Sequence, residues 1–186
     1  MWLPTVLRSW CRSPVAPCVV LVGVPGSGKT TVGELLSERL HVVFRDTDRD
    51  IEISEGKSVS DIFVDSGEPV FRALERAAVE QACREHDGVL ALGGGAVMDA
   101  GTRELLASQP TVWLQVGAAS GARRVGLDVP RPVLLGNVRS RMAALVAERA
   151  PLYAEVARVI VDTDGRTPDE VVDTIVESLG LERTDG

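Results

Sequence analysis

The sequence predicts an α/β domain: five strands alternating with helices, hence a parallel sheet covered on both faces. Three observations carry that expectation. A glycine-rich loop, Gly23-Val24-Pro25-Gly26-Ser27-Gly28-Lys29-Thr30, sits between an apolar run, Cys18 to Val22, and the helix-spaced residues Val32, Leu35, Leu36 and Leu40. Further short apolar runs recur down the chain, separated by helical segments. The chain has 186 residues, enough for one domain with a proper core.

The loop fits G-x-x-x-x-G-K-[ST]. Its glycines let backbone N–H groups approach an anion closely, and the helix that follows adds the partial positive charge of its N-terminus. Lys29 can reach the β- and γ-phosphates of a nucleotide, and the Thr30 hydroxyl can ligate Mg²⁺.

Bulk properties exclude several classes. The net charge is −7 and the isoelectric point about 4.9, which argues against generic nucleic-acid or anionic-membrane binding. Cys11, Cys18 and Cys83 are odd in number and lack metal-ligand spacing, pointing to a reducing compartment and no structural zinc. The two histidines, His41 and His86, fall at expected helix ends as solvated last-turn residues, which argues against histidine-based catalysis. No stretch approaches the roughly 18 apolar residues of a membrane span. Residues 1–17, with Pro4, Pro14 and Pro17, read as a flexible N-terminal extension.

In chain order, the first helix covers Lys29 to Leu40, and His41 to Phe44 is a second strand ending in Arg45-Asp46-Thr47-Asp48. Acidic residues at a strand's carboxyl end lie where α/β sheets bind ligands. A short helix from Arg49 stops at Gly56, and Ser58 opens another through Phe63, ended by Ser66-Gly67. A long helix from Glu68 to His86 carries Phe71, Leu74, Ala78 and Ala82 on one face. Residues 48–82 are too long for a minimal crossover and read as a subdomain holding a second substrate.

The strand Val89 to Leu92 runs into Gly93-Gly94-Gly95, either a loose loop or a place of close backbone approach. A helix from Thr102 to Ser108 leads to the strand Thr111 to Val116, and a short helix covers Gly117 to Val125. Residues 126–137, with two prolines flanking Arg131, read as a lid that closes over phosphates. The next helix, Val138 to Ala154, should kink or break at Pro151, beside Arg149. Val159 to Asp162 is the fifth strand; Thr167 caps the last helix and Pro168 opens it. Val171, Val172, Ile175, Val176 and Leu179 form its buried face, Gly180 stops it, and residues 181–186 are a tail.

Read singly, these residues leave alternatives open. Arg72 can be a solvated helix residue, and Asp46 or Asp48 can cap the next helix. Together they narrow. The phosphate loop, Asp46-Thr47-Asp48, Asp61-Ile62-Phe63, Phe71-Arg72, Gly93-Gly94-Gly95, Arg131-Pro132 and Arg149-Ala150-Pro151-Leu152-Tyr153 occur in the order of shikimate kinases. From Cys18 to Leu179 the chain resembles that family, within the nucleoside-monophosphate-kinase-like P-loop proteins.

The resemblance implies a sheet order of 2-3-1-4-5 and transfer of the ATP γ-phosphoryl group to the 3-hydroxyl of shikimate, a step toward chorismate and the aromatic amino acids. It implies ATP and Mg²⁺ as cofactors, a cytoplasmic monomer, and no nucleic-acid or membrane partner. Gly26, Ser27, Gly28, Lys29, Thr30 and Thr31 would hold the phosphates, and Thr30, with Asp46 through water, would hold Mg²⁺. Asp48 would bind the shikimate hydroxyls and either accept the proton or orient the attacking group. Arg72 and Arg149 would hold the carboxylate, and Gly93, Gly94 and Gly95 would contact the ring. Arg131 would meet the transferring phosphate, while Arg124, Arg166 and Pro168 would flank adenine. Val133, where the family's lid has leucine, and Asp164-Gly165 in the adenine loop depart from the pattern. A gluconate kinase, or a catalytically silent nucleotide-binding module, is the alternative.

Overall fold

The computed structural model describes residues 16–126 and 135–181. The expected lid and Arg131 therefore lie largely outside the described residues, as does the N-terminal extension apart from Ala16 and Pro17.

Five parallel strands form one sheet in the order β2-β3-β1-β4-β5. They are β1 (Val19–Val22), β2 (Phe44–Asp46), β3 (Val89–Ala91), β4 (Thr111–Gln115) and β5 (Val159–Asp162). β1 lies in the middle, with Val20 in register with Leu90 on one side and Thr111 on the other. After β1 the chain builds β2 and β3 on one side of it and then crosses to build β4 and β5 on the other, so the carboxyl end of β1 is a switch point where ligands bind in such sheets. Both the phosphate loop and the triple glycine leave the sheet at that end.

The three inner strands, β1, β3 and β4, are almost wholly apolar because they bury both faces, whereas the edge strands are less covered: β2 is Phe-Arg-Asp, and Ile160 of β5 is exposed. In β1, Val20 and Val22 join one core cluster while Val19 and Leu21 join the other. The first cluster is completed by Val79, Ala82 and Cys83 of α4 (Glu68–Glu85), Leu106 of α5 (Ala100–Leu106), and Met142 and Tyr153 of α7 (Leu135–Val156). The second is completed by Val32 and Leu36 of α1 (Lys29–Leu40) and by Val171, Val172 and Ile175 of α8 (Pro168–Leu179). A third, small cluster of Ile51, Ile62 and Phe71 joins α2 (Thr47–Glu55), α3 (Val59–Ser66) and α4 beside the sheet. α6 (Ala118–Gly126) follows β4.

Several boundaries differ from the sequence reading, each for a local reason. β2 starts at Phe44 because His41 and Val42 finish α1: His41 is a left-handed cap at φ 55°, and its N–H and that of Val42 bond Glu38 and Ser37 carbonyls. Asp46 caps α2 by accepting the Asp48 N–H, so Thr47 and Asp48 are helical rather than strand residues. Asp99 caps α5 in the same way, which moves its start from Thr102 to Ala100. Pro151 does not break α7, which runs on to Val156. One hydrogen bond is lost, but Tyr153 and Val156 beyond it are buried in the core and keep that turn in place. His86 is buried, not solvated, with its Nε2 3.1 Å from the Val89 carbonyl. Leu181 packs against α8 as a core residue rather than starting a loose tail.

The last helix forms as expected. Thr167 and Glu170 make a reciprocal capping box, Pro168 follows, and Gly180 ends the helix in a left-handed conformation.

Candidate active site

The phosphate loop is built by its glycines. Gly26 and Gly28 sit at φ 77° and 92°, which side-chain-bearing residues rarely adopt. Gly28 is the N-cap of α1 and offers no side chain to the first turn, so the amide donors there stay available to an anion. Lys29 bends back over the loop and donates to the carbonyls of Gly23 (2.8 Å) and Val24 (3.3 Å). Burial lowers its pKa, opposed by the charges of Asp48 and Asp46. Ser27 Oγ is buried without a hydrogen-bond partner.

One side of the loop opens on a cavity of about 210 Å³, lined by Ser27, Gly28, Thr31, Val32, Arg124, Thr163, Arg166, Pro168 and Val171. Arg124 spans its wall, donating to the carbonyls of Gly26 (3.2 Å) and Thr163 (2.9 Å) and to Thr163 Oγ1 (3.0 Å). Every nucleotide-site residue expected from the described part of the chain thus lies on the phosphate loop or along this cavity. Thr163 was not anticipated: nothing in the sequence marks it out from other threonines after a strand.

On the other side, three elements converge on the triple glycine. The Gly93 N–H donates to Thr47 Oγ1 (3.1 Å), which ties the loop to the first turn of α2. A Cβ at Gly93 would collide with the carboxylates of Asp48 and Glu75, and one at Gly95 would overlap the Arg72 guanidinium. The close-approach reading of these glycines therefore holds. From α7, Arg149 donates to the Gly94 carbonyl at 2.8 Å. Arg72 is held by Glu75 (2.6 Å) and Glu68 (3.0 Å) and lies over the rings of Phe63 and Phe71 at 5.8 and 5.6 Å.

Electrostatics single out this cleft. Asp48 Oδ1 and Arg149 Nε are both buried without a partner. The Asp48 carboxyl is pushed up to about 6, first by burial and then by Asp46 and Glu75, with Lys29 opposing. Glu75 is likewise raised by burial, against the pull of Arg72. Glu75, which the sequence reading passed over, and Tyr153, which it named only within the Arg149-to-Tyr153 motif and gave no role, are deeply buried here. Glu75 left a signal: it shares the four-residue spacing of Phe71 and Val79, so a charge was bound to fall on the buried face.

Asp46 does two things at once. One oxygen caps α2, and the other accepts from Thr30 Oγ1 at 3.3 Å. A hydroxyl and a carboxylate paired next to a phosphate loop fit a Mg²⁺ ion that keeps most of its ligands from water and phosphate. Among the described residues there is no cluster of three His, Cys, Asp or Glu able to hold a metal by itself.

The family model described as "Shikimate kinase" matches residues 25–180. A shikimate kinase from Saccharopolyspora erythraea is 56% identical over 173 residues, covering 92% of this chain and 99% of that one. The solved structure of shikimate kinase from Acinetobacter baumannii in complex with shikimate superposes with a TM-score of 0.82 at 32% identity, covering 92% of this chain and 96% of that one. A gluconokinase from Sinorhizobium meliloti superposes with a TM-score of 0.56 at 21% identity, covering 89% of this chain and 93% of that one. That last likeness speaks only to the fold. No helix among the described residues is long and apolar enough to cross a membrane.

Proposed function

This chain belongs to the shikimate kinase family and phosphorylates shikimate, and we propose that it does so with the residues gathered around Gly93-Gly94-Gly95 and the phosphate loop. One observation carries the assignment of roles. A buried carboxylate oxygen of Asp48 and a buried guanidinium nitrogen of Arg149, both without partners, flank the same glycine turn. A small polyol bearing a carboxylate supplies what each lacks: a hydroxyl donor for Asp48 and an anion for Arg149.

ATP is the phosphoryl donor in this reading. Gly26 to Thr31 hold its phosphates and Lys29 neutralises the transferring group, with adenine between Arg124 and the Arg166–Pro168 turn. Thr30 and, through water, Asp46 hold Mg²⁺, which offsets charge on the β- and γ-phosphates when bound. Arg72 and Arg149 bind the shikimate carboxylate. Asp48 takes a hydrogen bond from the attacking 3-hydroxyl; with its carboxyl near 6 it is largely ionised at neutral pH and can also take the proton. Residues 48–82 serve as the acceptor-binding insertion. Residues 126–137 serve as a lid, and the role of Arg131 rests on the family resemblance alone. The protein works as a cytoplasmic monomer in this reading, with no nucleic-acid or membrane partner.

The test is ADP release with MgATP, with and without shikimate. ADP formation that depends on shikimate is expected. Turnover of gluconate with none of shikimate would overturn the assignment.

A further inference from the structure

Tyr153 is buried at 1% exposure, one helical turn beyond Arg149 on α7. Its hydroxyl donates to the Gly94 carbonyl at 2.6 Å, the same oxygen that takes the Arg149 bond at 2.8 Å. Two donors from one helix therefore fix a single carbonyl in the middle of the glycine turn. Gly94 has no slack on its other side, where an added Cβ would meet Pro25 at 3.0 Å and the Gly23 carbonyl at 3.4 Å. The Tyr153 ring is itself held, stacked on Trp113 of β4 at 5.7 Å.

We propose that Tyr153 is a positioning residue for the acceptor site: its hydroxyl anchors the Gly94 carbonyl, and that fixed oxygen orients the Arg149 guanidinium so that Nε faces the acceptor's carboxylate. The inference rests on the reading of Arg149 as a carboxylate ligand. An arginine has many rotamers, and a carbonyl held from two sides selects one in advance of binding. The Tyr153 hydroxyl remains a donor throughout the working range, because burial pushes its pKa up to about 12. The bond therefore does not titrate near neutral pH.

Tyr153→Phe removes the hydroxyl and keeps the stacked ring. The Gly94 carbonyl keeps its Arg149 donor, so no buried group is orphaned. The expected result is a rise of about tenfold in KM for shikimate, the scale of one net hydrogen bond, with KM for ATP and the melting temperature nearly unchanged. A second measurement separates positioning from general loosening. In an Arg149→Ala background, Tyr153→Phe should add little to the loss of shikimate binding, because the two act through one oxygen. An unchanged KM for shikimate in Tyr153→Phe overturns the proposal. So does full additivity with Arg149→Ala, or a parallel weakening of both substrates with a lowered melting temperature. Wild-type protein without shikimate-dependent turnover would instead strike at the function itself.

Discussion

Arg149 is the simplest residue to interrogate, because its two ends do different things. One terminal nitrogen is already spent on the Gly94 carbonyl, while Nε is buried and unpaired. Arg149→Ala should raise KM for shikimate by an amount equivalent to about 2–5 kcal/mol, the range for truncating one partner of a buried charged pair. KM for ATP should move little; steady-state kinetics with each substrate varied in turn would show a symmetrical effect if the assignment were wrong. In the proposed mechanism Lys29 serves the other half of the reaction. Its bonds reach only the loop carbonyls of Gly23 and Val24, and the latter also takes the Ser27 N–H, so Lys29→Ala should loosen the loop at most and leave the fold intact by circular dichroism. Transfer should nevertheless be lost, because charge neutralisation supplies most of the catalysis. Appreciable residual kcat would show that the charge comes from elsewhere.

At the scale of elements, the site is a meeting of the β3 turn with α2, α4 and α7. Gly95 is the tightest point. Its backbone is right-handed at φ −98°, so alanine is conformationally acceptable there, yet its Cβ would overlap a guanidinium that Glu68 and Glu75 hold in place. Gly95→Ala should therefore displace Arg72 and raise KM for shikimate at least about tenfold, the scale of a lost charge-assisted bond. Equal KM values in wild type and variant would mean that Arg72 swings aside freely. The same region shows what the sequence could and could not disclose. The phosphate loop and the capped last helix were legible because local chemistry decides them: glycine for positive φ, Thr-Pro for a helix start. Glu75 and Tyr153 needed the fold, since each matters through a partner brought in from tertiary structure or a turn away. Asp46 shows a third case. Capping and metal binding were weighed as rivals, but a carboxylate has two oxygens: one caps α2, and the other, facing Thr30, is left for the proposed Mg²⁺ role.

At the scale of the whole molecule, the cleft costs stability. The Asp48 carboxyl is raised from 3.8 to about 6 in the folded chain. Below about pH 4 it is protonated in folded and unfolded states alike and costs nothing. As pH rises toward and past 6, the unfolded chain gives up its proton first, and stability falls. The shift corresponds to about 3 kcal/mol once both states are ionised. Asp48→Asn should thus melt at a higher temperature than wild type at pH 7, without nucleotide or Mg²⁺, while losing catalysis. The gap should close at about pH 4. Thermal denaturation at several pH values decides it; a gap that does not vary with pH would mean that burial is not what strains the group. The place of the site follows from the strand order, because ligands collect where connections on the two sides of a strand run in opposite directions. A sheet built around β1 puts the Arg124 cavity and the glycine-turn cleft, the proposed donor and acceptor sites, on either side of one loop.

Cys18 and Cys83 are both buried, but on opposite faces of the sheet: Cys18 among the residues covered by α1 and α8, Cys83 among those covered by α4 and α7. Burial pushes the Cys83 thiol up to about 11, so alkylating reagents reach it only when that layer lifts away. The chain thus carries one chemical clock in each half of its sandwich. Following the two alkylation rates by mass spectrometry, with and without ligands, would tell whether the layer bearing Arg72 and Arg149 opens separately from the layer that starts at the phosphate loop.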